Sequence, residues 1–189
     1  MDSRLSLLTV RAYRGGPLAR AGHNHLIASH DLTGVVHVPD DVLRTTFDIR
    51  LPVQALTVDE DELRAQEGPD FPVGVPETAR EGTRRNMLGP YMLEAERYAG
   101  IGLQSEGFQR VGDQLIAQVR VIVRDRASSV LVPVSYDLRG DVLRAEGELA
   151  LKQTALGLTP FTLFGGALRV QDEMKVRFRI VARAEPAGP

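Results

Sequence analysis

Apolar and polar residues alternate with a period of two along most of this chain, the spacing that puts successive side chains on opposite faces of a strand. Leu43, Thr45, Phe47, Ile49, Leu51 and Val53 alternate with Arg44, Thr46, Asp48, Arg50 and Pro52. The same rhythm runs through residues 117–123, 130–138 and 143–151. It is clearest where Met174, Val176, Phe178, Ile180 and Ala182 face Lys175, Arg177, Arg179 and Arg183. Two Gly-Asp pairs, at 112–113 and 140–141, interrupt the rows. Glycine at the first central position suits a tight primed turn, so the flanking rows are expected to pair as antiparallel hairpins. Further strands are expected near residues 5–13, 25–38 and 101–111, which makes about eight. Each has one apolar face, and either a closed barrel or a two-sheet sandwich would bury them all. An eight-stranded barrel has an interior that is filled by side chains or holds one small ligand.

The alternation stops between about residues 60 and 98. Asp59, Glu60, Asp61 and Glu62 crowd together, and Pro69, Pro72 and Pro76 then break regular structure. The acidic run reads as a solvated loop face. ETAREGTRRNML, at residues 77–88, suits a helix with an acid near its start, arginines near its end and Gly89-Pro90 as a stop. A short second helix is expected around residues 91–97. A long insertion with its own helix suggests a lid over one barrel mouth. Its acidic first half and Arg80, Arg84 and Arg85 would hold it shut through exposed ion pairs. Shortening residues 68–80 is then expected to speed ligand release without unfolding the barrel.

Composition narrows the functional classes. The 189 residues, 43% hydrophobic and 25% charged, suit one globular domain spanning 1–189. There is no cysteine, which removes disulfides, thiol nucleophiles and Cys-based metal sites. A net charge of -2 gives no reason to expect nucleic acid. No stretch approaches the ~18 consecutive apolar residues of a spanning helix, so no integral membrane segment is expected. The N-terminus lacks the pattern of an export leader, which predicts a cytoplasmic protein as the sequence stands and a periplasmic one if a leader has been removed. With six Phe, four Tyr and no Trp, the inward rows are mostly small. Such a lining either collapses into a packed core or keeps an apolar cavity.

All four histidines, His23, His25, His30 and His37, fall within a short stretch. His23 and His25 could ligate zinc, copper or nickel, but the sequence marks no third ligand. The same turn could instead hydrogen-bond its own loop, or touch a ligand. No nucleophile elbow and no phosphate loop is present, so neither catalytic residues nor a cofactor are assigned.

Several stretches resemble the YceI-like family. Gly22-His23-Asn24-His25 with Gly34-Val35-Val36 is similar to its opening turn and strand, and Phe47-Asp48-Ile49 with the exit through Leu56 to Asp59 to its third strand. Asn86-Met87-Leu88 and Tyr98-Ala99-Gly100-Ile101 fall at its helical insertion, with Ala99 in place of the usual proline. The run from Val121 to Asp125 and on to Val134 follows, with Asp125 replacing a common glycine. The most specific match is C-terminal: Lys152-Gln153-Thr154, Gly157, Pro160-Phe161, Gly165-Gly166, Leu168 and Val170-Gln171-Asp172. The resemblance implies an all-β, eight-stranded antiparallel lipocalin-like barrel that binds or transports a long-chain amphiphile of isoprenoid, quinone or fatty acyl type. It implies no catalysis.

The expected partner is therefore a lipid-like small molecule, with homodimerisation left open. On the faces read as inward, the ligand-binding residues would be Leu26, Ala28, His30, Phe47, Leu103, Val119, Val132, Tyr136 and Phe178. Met87, Leu88 and Met92 would reach it from the insertion. The alternative is a metal-binding or enzymatic site at the His23/His25 turn.

Overall fold

The alternating rows form a curled antiparallel sheet in a computed structural model that describes residues 1–184. Its strands are β1 (Leu7–Gly15), β2 (His25–Ser29), β3 (Thr33–His37), β4 (Thr46–Pro52), β5 (Thr57–Val58), β6 (Gly100–Val111), β7 (Gln114–Val123), β8 (Arg126–Arg139), β9 (Val142–Lys152), β10 (Thr162–Leu163) and β11 (Leu168–Arg183). The hydrogen-bonded order is β3-β4-β6-β7-β8-β9-β11-β1-β2-β5, with β10 pairing beside β11. The longest strands, β6 to β9 and β11, are those with the most regular alternation.

Among the described residues eleven strands stand where about eight were expected, because two of the expected strands are bent and broken and the two-residue β10 is added. The chain leaves β2 at Ser29 and resumes as β3 at Thr33, while β4 runs through a 3-10 turn at Val53–Ala55 into β5. β3 pairs with β4, and β2 pairs with β5. The expected strand at 43–53 is also shorter, since Val42–Arg44 forms a 3-10 turn capped by the Asp41 carboxylate.

The two Gly-Asp pairs close hairpins as expected. Val111 pairs with Gln114 and Arg139 with Val142, and Gly112 and Gly140 take φ of 60° and 57°. A third two-residue turn joins β7 to β8 with Arg124 at φ 57°, a conformation that disfavours a side chain. Its guanidinium is held by Glu94 at 2.9 Å and by the Gly157 carbonyl at 3.1 Å. Gly34 has no alternative residue: at φ 136°, an added Cβ would lie 2.1 Å from the Asp48 carbonyl oxygen.

The insertion divides in two. Helix α1 (Asp61–Arg64) is one turn long, and α2 (Glu77–Leu88) matches the expected helix residue for residue. The short helix expected at 91–97 is instead a chain of turns, interrupted by Glu94 at φ 48°.

Candidate ligand cavity and its mouth

Inward side chains leave much of the interior unfilled. A cavity of about 910 Å³ runs through the curled sheet, within the ~300–1,000 Å³ range of small-molecule sites. The chemistry of its wall follows from the alternation: Ala117, Val119, Val121 and Val123 of β7 all face it, as do Val130, Val132 and Val134 of β8. These are short side chains, and rows of short side chains cannot meet across a barrel.

Nine of the residues expected at the ligand lie along this cavity: Ala28, Phe47, Leu103, Val119, Val132, Tyr136, Phe178, Met87 and Met92. Leu26, His30 and Leu88 do not line it. In β2 the inward set is His25, Ile27 and Ser29, with Ala28 also touching the cavity. The expectation was therefore set one residue out of phase. Leu26 is buried on the other side of the strand, where Asp59 accepts a hydrogen bond from its N–H at 2.8 Å. His30 is exposed and its Nε2 meets Glu60 Oε1 at 2.9 Å. Leu88 packs against the main apolar cluster instead.

Helix α2 lies across one end. Ala79, Gly82, Thr83, Asn86 and Met87 line the cavity, and their spacing of three and four puts them on one helical face. That face is small and polar, and every residue of α2 keeps some exposure. Arg80 ties it to Asp61 at 2.8 Å, and Arg84 donates to the Gln54 carbonyl at 2.7 Å. Of the three arginines expected to form exposed ion pairs, Arg80 alone pairs with an acid among the described residues; Arg84 binds backbone carbonyls, and Arg85 forms no ion pair there.

The first half behaves differently: Asp61 and Glu62 are exposed, as a solvated face would be, but Asp59 is not. Asp59 is fully buried, at φ 56°, and accepts hydrogen bonds from His25 Nδ1 at 2.6 Å, from the Leu26 N–H and from Arg64. Burial works to raise its pKa, but the bonds from His25 and Leu26 and the charges of His25 and Arg64 outweigh it, leaving the carboxyl below its usual range. Arg64 is equally buried: it donates to the carbonyls of Pro72 and Asn24, both at 2.8 Å, and its guanidinium stands over the Phe71 ring. Beside it Arg11 of β1 pairs with Glu67, and Phe71 meets Tyr13 edge to face. Residues 59–75 thus seal the outer wall of β1 and β2.

His25 connects this buried cluster to the mouth. An ionised Asp59 only accepts, so Nδ1 carries the proton and Nε2 faces Thr83 Oγ1 on α2 at 3.2 Å. His23, whose ring lies 6.2 Å from that of His25, also lines the cavity, as does Asn86. Neither has a side-chain hydrogen-bond partner among the described residues. No group of three metal-ligating side chains converges among the described residues, so His23 and His25 lack the further ligand a metal centre needs. Thr83, His25 and Asp59 have the order of a hydrolytic triad. Thr83, however, sits inside α2, where helical hydrogen bonds occupy the backbone N–H groups that would form an oxyanion hole.

The C-terminal motif residues serve the fold. Asp172 accepts from the Thr154 N–H at 2.9 Å and its hydroxyl at 2.7 Å, and buried Gln153 donates to the Gln171 carbonyl. They fasten the turn after β9 to β11.

No family model and no curated protein matches the sequence. Among solved structures, the chain is similar to BcnA of Burkholderia cenocepacia, with a TM-score of 0.69 at 14% identity over 96% of this chain and 98% of that one. It is also similar to the YceI protein of Campylobacter jejuni, with a TM-score of 0.60 at 6% identity over 85% of both chains. The fold is therefore YceI-like, a curled antiparallel barrel of the lipocalin type. No helix among the described residues is long and apolar enough to cross a membrane.

Proposed function

We propose that this protein binds and carries a long-chain amphiphile, without catalysing its conversion. The observation that carries the reading is the cavity itself: about 910 Å³, walled by Val, Leu, Ala and Phe, with polar groups concentrated at the α2 end. Each CH₂ buried there contributes about 0.8 kcal/mol before ordering costs. An isoprenoid or acyl tail needs no strong polar contact to bind at micromolar levels. The head group belongs at the mouth, where His23 and Asn86 offer free hydrogen-bonding groups and His25 is held rigidly by Asp59. The tail lies along Val119, Val132, Leu103, Phe47 and Phe178.

Native mass spectrometry of protein purified without detergent is the test, together with displacement of a fluorescent fatty acid by added isoprenoids. A bound mass and displacement are expected, and Ala117→Phe, which fills the cavity, should abolish both while keeping the β-rich circular dichroism. A clean apo mass with no displacement would overturn the reading.

A further inference from the structure

The loops around the α2 end expose large apolar side chains. Tyr91 is 92% exposed, Phe164 77%, Leu18 48% and Leu163 41%. Tyr91 and Leu163 line the cavity itself, and Leu18 adjoins the Phe164 turn through a hydrogen bond from its N–H to the Ala167 carbonyl at 2.8 Å. Tyr91 and Leu163 thus border one cavity, with Phe164 next to Leu163 and Leu18 beside that turn.

Phe164 is the most telling of them. It holds φ at 51°, followed by Gly165 at 64° and Gly166 at 91°. Two glycines adopt the left-handed region freely, whereas a bulky aromatic residue does not. Nothing in the fold needs the ring, because it stands in solvent. Strained, exposed aromatic residues belong to surfaces that meet something else.

Charge points to what that is. Residues 14–30 and 153–171, which supply Leu18, Leu163 and Phe164, contain Arg14, Arg20 and Arg169 and no Asp or Glu. All three arginines are exposed. This holds although the chain as a whole carries a net charge of -2. Leu18, Leu163 and Phe164, set among arginines on loops without acids, match the interface of a bilayer with anionic head groups, and only the Tyr91 side of the rim carries acids, Glu94 and Glu96. A protein partner seated there would leave an apolar cavity open beneath it.

We propose that this rim docks the open end of the barrel onto a lipid bilayer bearing anionic head groups. The mouth then faces the lipid, and an amphiphile passes between bilayer and cavity without crossing water. The proposal goes beyond ligand binding in solution and can fail independently of it.

Flotation with phosphatidylcholine vesicles, with and without phosphatidylglycerol, tests it. The protein should float with the anionic vesicles, and raised salt should release it. Phe164→Gly removes the ring while suiting the left-handed backbone, so the barrel should stay folded, as circular dichroism would verify. This variant and Arg20→Glu, at a residue that does not line the cavity, should each lower partitioning about tenfold. Both should still bind a fluorescent fatty acid in vesicle-free buffer, which separates a docking defect from a cavity defect. No flotation of the unaltered protein, or undiminished flotation of both variants, would overturn the proposal. So would sedimentation as a dimer that Phe164→Gly dissociates, since a second copy would then be the occupant of the rim.

Discussion

Residues 59–75 and helix α2 belong to one insertion and are similarly rich in charge, yet the first buries an ion pair, Asp59 with Arg64, and the second keeps all its charges at least partly exposed. Asp59 and Arg64 are sealed against the outer wall of β1 and β2, whereas Arg80 and Arg84 hold α2 from the surface. A buried ion pair becomes a liability when either partner is removed, because the other charge is left in a poor solvent. A surface pair gives little and can be broken cheaply. The first half is therefore wall, and the second is the part free to move.

Several measurements would break or sharpen that contrast. Arg64→Ala leaves Asp59 buried without its cation and should destabilise the fold by about 3–5 kcal/mol in urea titration. Phe71→Ala comes next: Phe71 is 2% exposed and enclosed by Tyr13 and Arg64, so its loss should cost about 3–5 kcal/mol. Phe178→Ala should cost distinctly less, because that ring borders empty space. Equal losses would mean that the cavity is effectively packed.

Acid should act on the first half. The Asp59 carboxyl sits below its unfolded pKa of about 3.9, so its contribution is present at neutral pH and is lost as pH falls from about 4 through the native value. Asp61, Glu148 and Asp172 are lowered too and act in the same direction. Melting temperature should drop steeply below about pH 4, and Asp59→Asn should start lower and fall less. The smallest effect is expected from Asp61→Ala, which frees Arg80 at the surface. Melting should fall only slightly, because Asp61 is exposed, while amide exchange in α2 and release of a fluorescent fatty acid should both quicken. Unchanged exchange would show that α2 is fixed by other contacts. Shortening residues 68–80, by contrast, would remove buried Phe71 and Val75 and damage the wall. It cannot serve as a clean test of a lid.

The parts of this design legible in the sequence are those governed by local rules. Strands β7, β8, β9 and β11 show one apolar face each, and Gly-Asp turns fix the β6–β7 and β8–β9 hairpins, so the inward residues of these strands could be read directly. Strand β2 could not, because both of its faces are buried: Ile27 looks into the cavity, and Leu26 lies on the side covered by residues 59–75. With apolar residues on both faces, alternation no longer marks which side is inside. Asp59 was hidden for a related reason. Its partner His25 lies 34 positions away, and an acid among acids gives no local sign of burial. The cavity-facing side of α2 was equally silent, since Ala79, Gly82, Thr83 and Asn86 form no apolar stripe.

The hydrogen-bond ladder breaks in part at one place and in full at another. The β8–β9 pairing covers only Ser135 to Arg139, stopping beside Pro133, which has no N–H to donate, and β3 and β5 end the ladder on the other side. Between these breaks lie two groups of five strands, β3-β4-β6-β7-β8 and β9-β11-β1-β2-β5. A fully laddered barrel has its girth set by strand number and stagger. Here one seam is still laddered, over Ser135–Arg139 of β8, while the other is crossed by the bent chain of β2–β3 and β4–β5 and not by ladder hydrogen bonds. That open seam acts as an expansion joint, through which the girth can adjust to the bulk of the guest while the β8–β9 pairs stay intact.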